Sequence, residues 1–238
     1  MSAEANVGTD MDMDKGTLQI QGLTKSFGGG RPVLVDLDLD CPAGSRTAVL
    51  GPSGIGKSTL LRLIAGLELP DAGEIRLGQA LVSGPGWALE PHRRGVALAF
   101  QAPALWPHLR VRDNITFGLR HLGQAAARAA AEDWLARLRL DGLGGRYPDQ
   151  LSGGQAQRVS LARALAAGRP ILLLDEPLSH LDPDLKSALT ADLGGWLRAA
   201  GTTLVYVTHD PAEVAPLCDR VLGLADGRLK AAMPPPSS

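Results

Sequence analysis

The chain has 238 residues, 45 % of them hydrophobic, and 24 basic residues stand against 25 acidic ones. That length and apolar content can bury a real core, as one domain or as one domain with an inserted lobe. The balanced charge lacks the basic excess on which nonspecific nucleic-acid binding draws.

In chain order, residues 1–16 read as a disordered acidic tail: small and polar, without periodicity, and without the basic start and apolar stretch of a signal peptide. Strand patterns follow over Thr17–Leu23 and Val33–Asp40. In the second, Val33, Val35, Leu37 and Leu39 alternate with Leu34, Asp36, Asp38 and Asp40, which predicts an antiparallel sheet with one wet side. A short strand pair is expected around Glu74–Leu77 and Gln79–Val82, and a buried strand over Gly95–Phe100 that ends at Gln101. Asp113–Leu122, Gln124–Leu140 and Gly153–Ala167 have helical period, so residues of about 102–158 form a helical lobe. Strands return at Ile171–Leu174 and Thr203–Thr208, separated by a helix that Pro183 opens. Apolar runs flanking helices imply a mostly parallel sheet. A hairpin is expected at Arg220–Leu224 and Arg228–Ala231 around Asp226-Gly227, and residues 232–238 form a second disordered tail. Cys41 and Cys218 lie far apart without a CxxC pair, which indicates neither a metal cluster nor a disulfide framework and suits a reducing, cytosolic setting. No apolar run approaches the ~20 residues of a membrane span, so the chain is expected to be soluble by itself.

Gly51-Pro52-Ser53-Gly54-Ile55-Gly56-Lys57-Ser58-Thr59 lies between the apolar run Thr47–Leu50 and a helical pattern. This is the spacing of a phosphate-binding loop. Its glycines let successive amides converge on an anion, and the following helix adds its positive N-terminal end. Lys57 would reach the β and γ phosphates, and Ser58 would offer its hydroxyl to magnesium. Ile171–Leu174 runs into Asp175 and Glu176, and strand ends in a parallel sheet collect ligands. Asp175 is then placed to hold magnesium, and Glu176 to deprotonate an attacking water. Leu151-Ser152-Gly153-Gly154-Gln155 is a second glycine-rich turn before a helix, where Ser152 can act as the cap.

Together with Gln101 and His209, these motifs resemble, in order and across nearly all of residues 17–231, the ATP-binding-cassette (ABC) ATPases. The resemblance implies an α/β fold: a P-loop NTPase with a RecA-like, mostly parallel sheet and flanking helices, plus an antiparallel β subdomain and the inserted helical lobe. It implies ATP and Mg2+ as cofactors, with Ser58, Gln101 and Asp175 near the metal and Gln101 linking to the helical lobe. Lys57, Gln101, Glu176 and His209 carry the chemistry, Gln101 by sensing magnesium and the γ-phosphate and His209 by touching the γ-phosphate. Ser152, Gly153, Gly154 and Gln155 match the family signature. Ser179-His180-Leu181-Asp182 fits the loop after the acidic pair, with Asp182 at the nucleotide and His180 replacing a commoner small residue or Asn. Phe27 aligns with the aromatic that stacks on adenine, the alternative being a core or exposed aromatic.

The phosphate loop and the signature belong to different lobes, and in this family two cassettes pair head to tail, so a second ATPase cassette is an expected partner. The segment Leu105-Trp106-Pro107-His108-Leu109-Arg110-Val111-Arg112-Asp113-Asn114 is similar to the stretch where importer ATPases receive transmembrane subunits; alternatively it is the start of a helix with an aromatic packed beneath it. On the first reading the chain is the ATPase subunit of a transporter, an importer above all. It would lie peripherally on the cytoplasmic side of the inner membrane, with permease subunits and, through them, a solute-binding protein as partners. The alternative is a soluble ABC ATPase of nucleic acid or ribosomes, disfavoured by the charge balance and the single cassette; a noncatalytic cassette is disfavoured by intact Lys57, Glu176 and His209.

Overall fold

A computed structural model describes residues 16–231. The expected acidic tail, apart from Gly16, and the C-terminal tail lie outside the described residues. The strands are β1 (Leu18–Lys25), β2 (Leu34–Cys41), β3 (Arg46–Leu50), β4 (Ala72–Leu77), β5 (Ala80–Gly84), β6 (Trp87–Ala88), β7 (Val96–Ala99), β8 (Ile171–Asp175), β9 (Thr203–Thr208), β10 (Arg220–Ala225) and β11 (Arg228–Ala231). The α-helices are α1 (Lys57–Ala65), α2 (Val111–Thr116), α3 (Gln124–Arg137), α4 (Gly153–Ala166) and α5 (Pro183–Ala200).

Among the described residues the strands form two sheets, one in the order β2-β1-β4-β5-β6 and one in the order β11-β10-β3-β9-β8-β7. The first is antiparallel throughout. In the second, every neighbour from β10 to β7 is parallel, and β11 closes the edge as an antiparallel hairpin turned by Asp226 and Gly227 at positive φ. Alternation along the parallel strands separates two cores. Ile171, Leu173, Val205 and Val207 face α1 and the antiparallel sheet, while Leu172, Leu174, Leu204 and Tyr206 belong to the core built with α4 and α5. Beyond α4 stand α2 and α3, the helical lobe.

The structure corrects the expected face of β2. Leu34, Leu37, Leu39 and Cys41 are the buried residues, because a bulge at Asp36, with φ of 47°, shifts the register between Leu34 and Leu37. The helix expected over Asp113–Leu122 is α-helical only to Thr116 and continues as a 3-10 helix over Phe117–Leu122. The expected Gln124–Leu140 helix ends early, at Arg137. Arg139 turns left-handed at φ of 56°, and Leu140 N donates to Leu135 O at 2.8 Å, so the chain reverses. Arg158 of α4 holds this unfavourable non-glycine cap by donating to Leu138 O and Arg139 O, each at 2.8 Å.

A second buried guanidinium anchors α1, the helix after the phosphate loop. Arg94 is 0 % exposed and donates to Leu63 O and Ile64 O in the last turn of α1, to Val82 O and Ser83 Oγ of β5, and to Leu89 O. Its charge lies at the negative end of the helix dipole. Burial lowers its pKa to about 10, which leaves it charged at neutral pH. Gly66, at φ of 78°, makes room for it, since a Cβ there would fall 2.4 Å from Arg94 Nε. We expect Arg94→Met, which strands several buried carbonyls, to lower unfolding free energy in urea titration by about 3 kcal/mol or more.

The loop after β9 is anchored from α5. Lys186 Nζ lies 2.7 Å from Asp210 Oδ2 and 2.5 Å from Glu213 Oε1, and Tyr206 OH donates to Glu213 Oε2 at 2.6 Å. Burial opposes the Lys186 charge, but the hydrogen bonds to Asp210 and Glu213 outweigh it and raise its pKa; Asp210 is lowered, chiefly by the bond from Lys186. Lys186→Met should cost about 3 kcal/mol, because the buried Glu213 side chain loses its cationic partner. The raised Lys186 contributes fully below the ordinary lysine pKa of about 10.4 and loses that contribution as pH rises through its folded value. The depressed Asp210 contributes fully above about pH 3.9 and loses that as pH falls through its folded value. Thermal melts should therefore show a constant gap between wild type and variant near neutrality that narrows toward both extremes.

Candidate active site

The phosphate loop joins β3 to α1, and its shape depends on two glycines. Gly56 has φ of 114°, and a Cβ there would meet Val33 Cγ1 at 2.8 Å; Gly54 has φ of 80°. Ile55 packs its side chain against the core under the antiparallel sheet, which holds the loop down. Lys57 opens α1 at 5 % exposure and turns back inside the loop. Its Nζ donates to Gly51 O at 2.7 Å and to Pro52 O at 3.1 Å, and lies 3.3 Å from Glu176 Oε1.

The acidic pair ends β8. Asp175 is buried, which raises its pKa; the Ser58 hydroxyl bonded to it works the other way, and neighbouring Glu176 adds to the rise. Glu176 is 5 % exposed and left-handed, with φ of 45°. Its N–H donates to Val207 O at 2.9 Å, and its Oε2 lies 3.1 Å from His209 Nδ1 at the end of β9. One carboxylate thus joins the phosphate-loop cation on one side to a half-exposed imidazole on the other. A cleft of about 250 Å3 opens there, lined by Phe27, Val33, Ser53, Gly54, Gly56, Lys57, Ser58, Thr59, Gln101 and Glu176. The expected residues therefore gather from the carboxyl ends of β3, β7, β8 and β9, where a parallel sheet binds ligands. Phe27 is 46 % exposed at the rim, and Lys25 Nζ lies 5.0 Å from its ring centre.

Ser152, Gly153, Gly154, Gln155 and Asp182 do not line this cleft. Ser152 caps α4 reciprocally: Gln155 N donates to Ser152 Oγ at 3.3 Å, and Ser152 N donates to Gln155 Oε1 at 3.0 Å. Gly153 faces open space, whereas a Cβ on Gly154 would lie 3.1 Å from His180 O. Asp182 caps α5, accepting from Leu185 N at 3.0 Å. The sequence reading overlooked Gln157, a polar residue at 1 % exposure on the buried stripe that α4 presents with Leu161 and Ala164. Its place four residues before Leu161 was the available signal.

A magnesium ion fits the donors present. The Ser58 hydroxyl and the Asp175 carboxylate are bonded to each other, and burial penalises the Asp175 charge, a penalty that a divalent cation relieves. Among the described residues no group of three or more His, Cys, Asp and Glu side chains forms a metal cage. Such an ion would take its other ligands from phosphate and water, as magnesium commonly does.

Trp106, in the segment expected either to dock a partner or to pack under a helix, is half-buried. It packs against Phe117 with the rings tilted by 43° and their centres 4.3 Å apart, and the Arg163 guanidinium lies 4.8 Å from its ring. The backbone N–H of Trp106 donates to Asn114 Oδ1 at 2.8 Å, while nearby His108 is exposed. Among the described residues no helix is long and apolar enough to cross a membrane.

Comparison with known proteins bears on this geometry. The family model described as ABC transporter matches residues 34–179. The spermidine/putrescine import ATP-binding protein PotA of Methylococcus capsulatus is 47 % identical over 209 residues, covering 87 % of this chain and 53 % of that protein. The Fe(3+) ions import ATP-binding protein FbpC of Pseudomonas fluorescens is 46 % identical over 214 residues, covering 89 % of this chain and 60 % of that one. This chain thus spans little more than half the length of these relatives. Among solved structures, the dimeric post-hydrolysis state of the ATP-binding cassette MJ0796 bound to ADP and Pi superposes with a TM-score of 0.84 at 28 % identity, over 93 % of this chain and 100 % of that one. With the phosphate loop, the acidic strand end and the cassette fold all in place, the chain belongs to the ABC transporter family.

Proposed function

We propose that this chain is the ATP-binding subunit of an ABC importer, with residues 17–231 as the cassette and about 102–158 as its helical lobe. It hydrolyses ATP to ADP and phosphate at a head-to-tail dimer interface and drives solute through separate membrane-spanning subunits. The observation that carries this reading is the Glu176 carboxylate, held between Lys57 at 3.3 Å and His209 at 3.1 Å beside the phosphate loop. Lys57 and the loop amides bind the phosphates of ATP, and Phe27 at the rim stacks on the adenine. Glu176 accepts the proton of the attacking water, and His209 orients the water and the γ-phosphate. Gln101 bridges this chemistry to the helical lobe. Magnesium, held by Ser58 and Asp175 with Gln101 nearby, would neutralise developing phosphate charge.

The signature residues and Asp182 lie off this cleft, so they serve the nucleotide of a second copy. Import is supported by the names of the two relatives and by the Trp106–His108 segment, where a permease would dock on the cytoplasmic face of the inner membrane. A solute-binding protein would act through that permease.

Two substitutions separate binding from chemistry. Lys57→Ala should weaken ATP binding at least tenfold in a fluorescent-nucleotide titration, since a charge-assisted phosphate contact is lost. Glu176→Gln should retain Mg-ATP binding while phosphate release falls by roughly 10²–10⁴-fold. Normal release from that variant would remove Glu176 as the base.

The dimer is tested by cross-linking. Both native thiols are buried and held protonated by burial, Cys218 with its pKa pushed up to about 12, so they need not be replaced. In the Glu176→Gln background, Ser53→Cys on a long version of the chain and Ser152→Cys on a short one should be joined by a short bifunctional thiol reagent. Mg-ATP should raise the yield. A link formed only within single chains carrying both cysteines would refute the shared site.

A further inference from the structure

Gln157 touches three residues around the candidate site, Glu176, Gln101 and His180, with one amide, from a helix whose start is the Ser152–Gln155 turn. At 1 % exposure its polar atoms must pair inside the protein, and they do. Nε2 donates to Glu176 O at 2.8 Å and lies 3.5 Å from Gln101 O, while Oε1 lies 2.9 Å from His180 Nδ1. The amide has one sensible orientation. A peptide carbonyl only accepts, so the nitrogen faces Glu176 and the oxygen faces His180, whose Nδ1 must then carry a hydrogen. Ser179 Oγ donates to the same Glu176 O at 3.0 Å and lies 3.1 Å from the same imidazole nitrogen, which repeats the pattern.

These bonds converge on a strained residue. Glu176 sits at φ of 45°, where a side chain is disfavoured. The N–H bond to Val207 O secures one end of its backbone, and Gln157 with Ser179 secures the other. We propose that Gln157, oriented by His180, is a positioning residue that holds the Glu176 peptide left-handed, so that its carboxylate meets Lys57 and His209. Without the donated hydrogen bond the peptide relaxes toward ordinary φ and the carboxylate swings off the attacking water. Because Gln157 lies about one turn beyond Gly153 on the same rigid helix, a pull on the start of α4 reaches the Glu176 and Gln101 carbonyls directly. The inference rests on the reading of Glu176 as the base.

The experiment measures kcat and KM for Mg-ATP on the purified full chain, with melting curves taken alongside. Gln157→Leu keeps the bulk and removes the amide. It should lower kcat at least tenfold with KM nearly unchanged, because the phosphate loop is untouched. Gln157→Glu would place a carboxyl at a site only 1 % exposed, where burial raises its pKa well above that of an exposed glutamate, and it can donate to the carbonyl only while protonated, so its kcat relative to wild type should fall as pH rises between about 6 and 9, a trend that simple packing would not produce. His180 is exposed, so its variants test the same chain of bonds without threatening the core. His180→Ala should lower kcat severalfold, and His180→Asn, whose amide can donate from nearly the same place, should restore most of it.

Wild-type kcat in folded Gln157→Leu, or a loss confined to KM, overturns the proposal. Should Gln157→Leu melt below the assay temperature, wild-type kcat in His180→Ala overturns it instead. Glu176→Gln, run in parallel, separates the two failures. If it hydrolyses ATP normally, the base and the positioning role fall together; if it is inactive while the Gln157 and His180 variants are fully active, the positioning role alone falls.

Discussion

An ammonium buried to 5 % exposure persists only if its protons find oxygens and its charge finds a counter-charge. Lys57 satisfies both conditions, through Gly51 O and Pro52 O for the loop and through Glu176 for the charge. That demand ties distant parts of the chain together. The loop leaves β3 and Glu176 leaves β8, with β9 between them, so the strand register sets how far Lys57 must reach. Gly51 N donates to Thr208 O at 3.4 Å and Glu176 N to Val207 O at 2.9 Å, on successive residues of β9. A one-residue slip of either strand would exchange inward and outward side chains and break the pair. The two apolar cores on either side of the sheet make such a slip costly, so packing far from the cleft is what keeps the cation and the carboxylate in contact.

Much of this was legible in the sequence because its determinants are local. The phosphate loop is nine consecutive residues whose backbone needs are written in their glycines, and β8 ends at Asp175 as its apolar run predicts. The parallel strands, buried on both faces, read as plain apolar runs. What escaped depends on contacts between residues far apart. The bulge at Asp36 moves Leu34 rather than Val33 to the core, and alternation counted without a bulge assigns the wrong face. The early end of α3 comes from Arg158, which supplies donors to carbonyls 19 and 20 positions back. Arg94 completes α1 from 30 and 31 positions ahead. Nothing in helical period anticipates a guanidinium arriving from another element.

Those arginines explain how the lobes keep their relation to the cleft. Arg94 ties α1 to the antiparallel sheet and Arg158 ties α4 to α3, each donating to two carbonyls at the end of a helix and neither to a carboxylate. A cation at that end of a helix is favoured by the dipole, and a guanidinium has enough donors to satisfy several carbonyls at once. The Glu176 carboxylate meanwhile stays committed to Lys57 and His209.

Charge balance also supports the reading in which two copies share one nucleotide. At the strand end Asp175 and Glu176 are already matched by Lys57 and Arg62, and burial still penalises the Asp175 charge. A triphosphate adds further negative charge to a site partly shielded from water, where such repulsion is strong. The start of α1 offsets some of it, and a divalent cation at Ser58 and Asp175 would offset more. The capped start of α4 is another positive helix end, with Gly153 facing open space, yet it lies outside its own chain's cleft. Brought over the phosphates by a second copy, it would place amide donors on the side of the nucleotide away from Lys57. A single chain leaves that side of the charge to solvent.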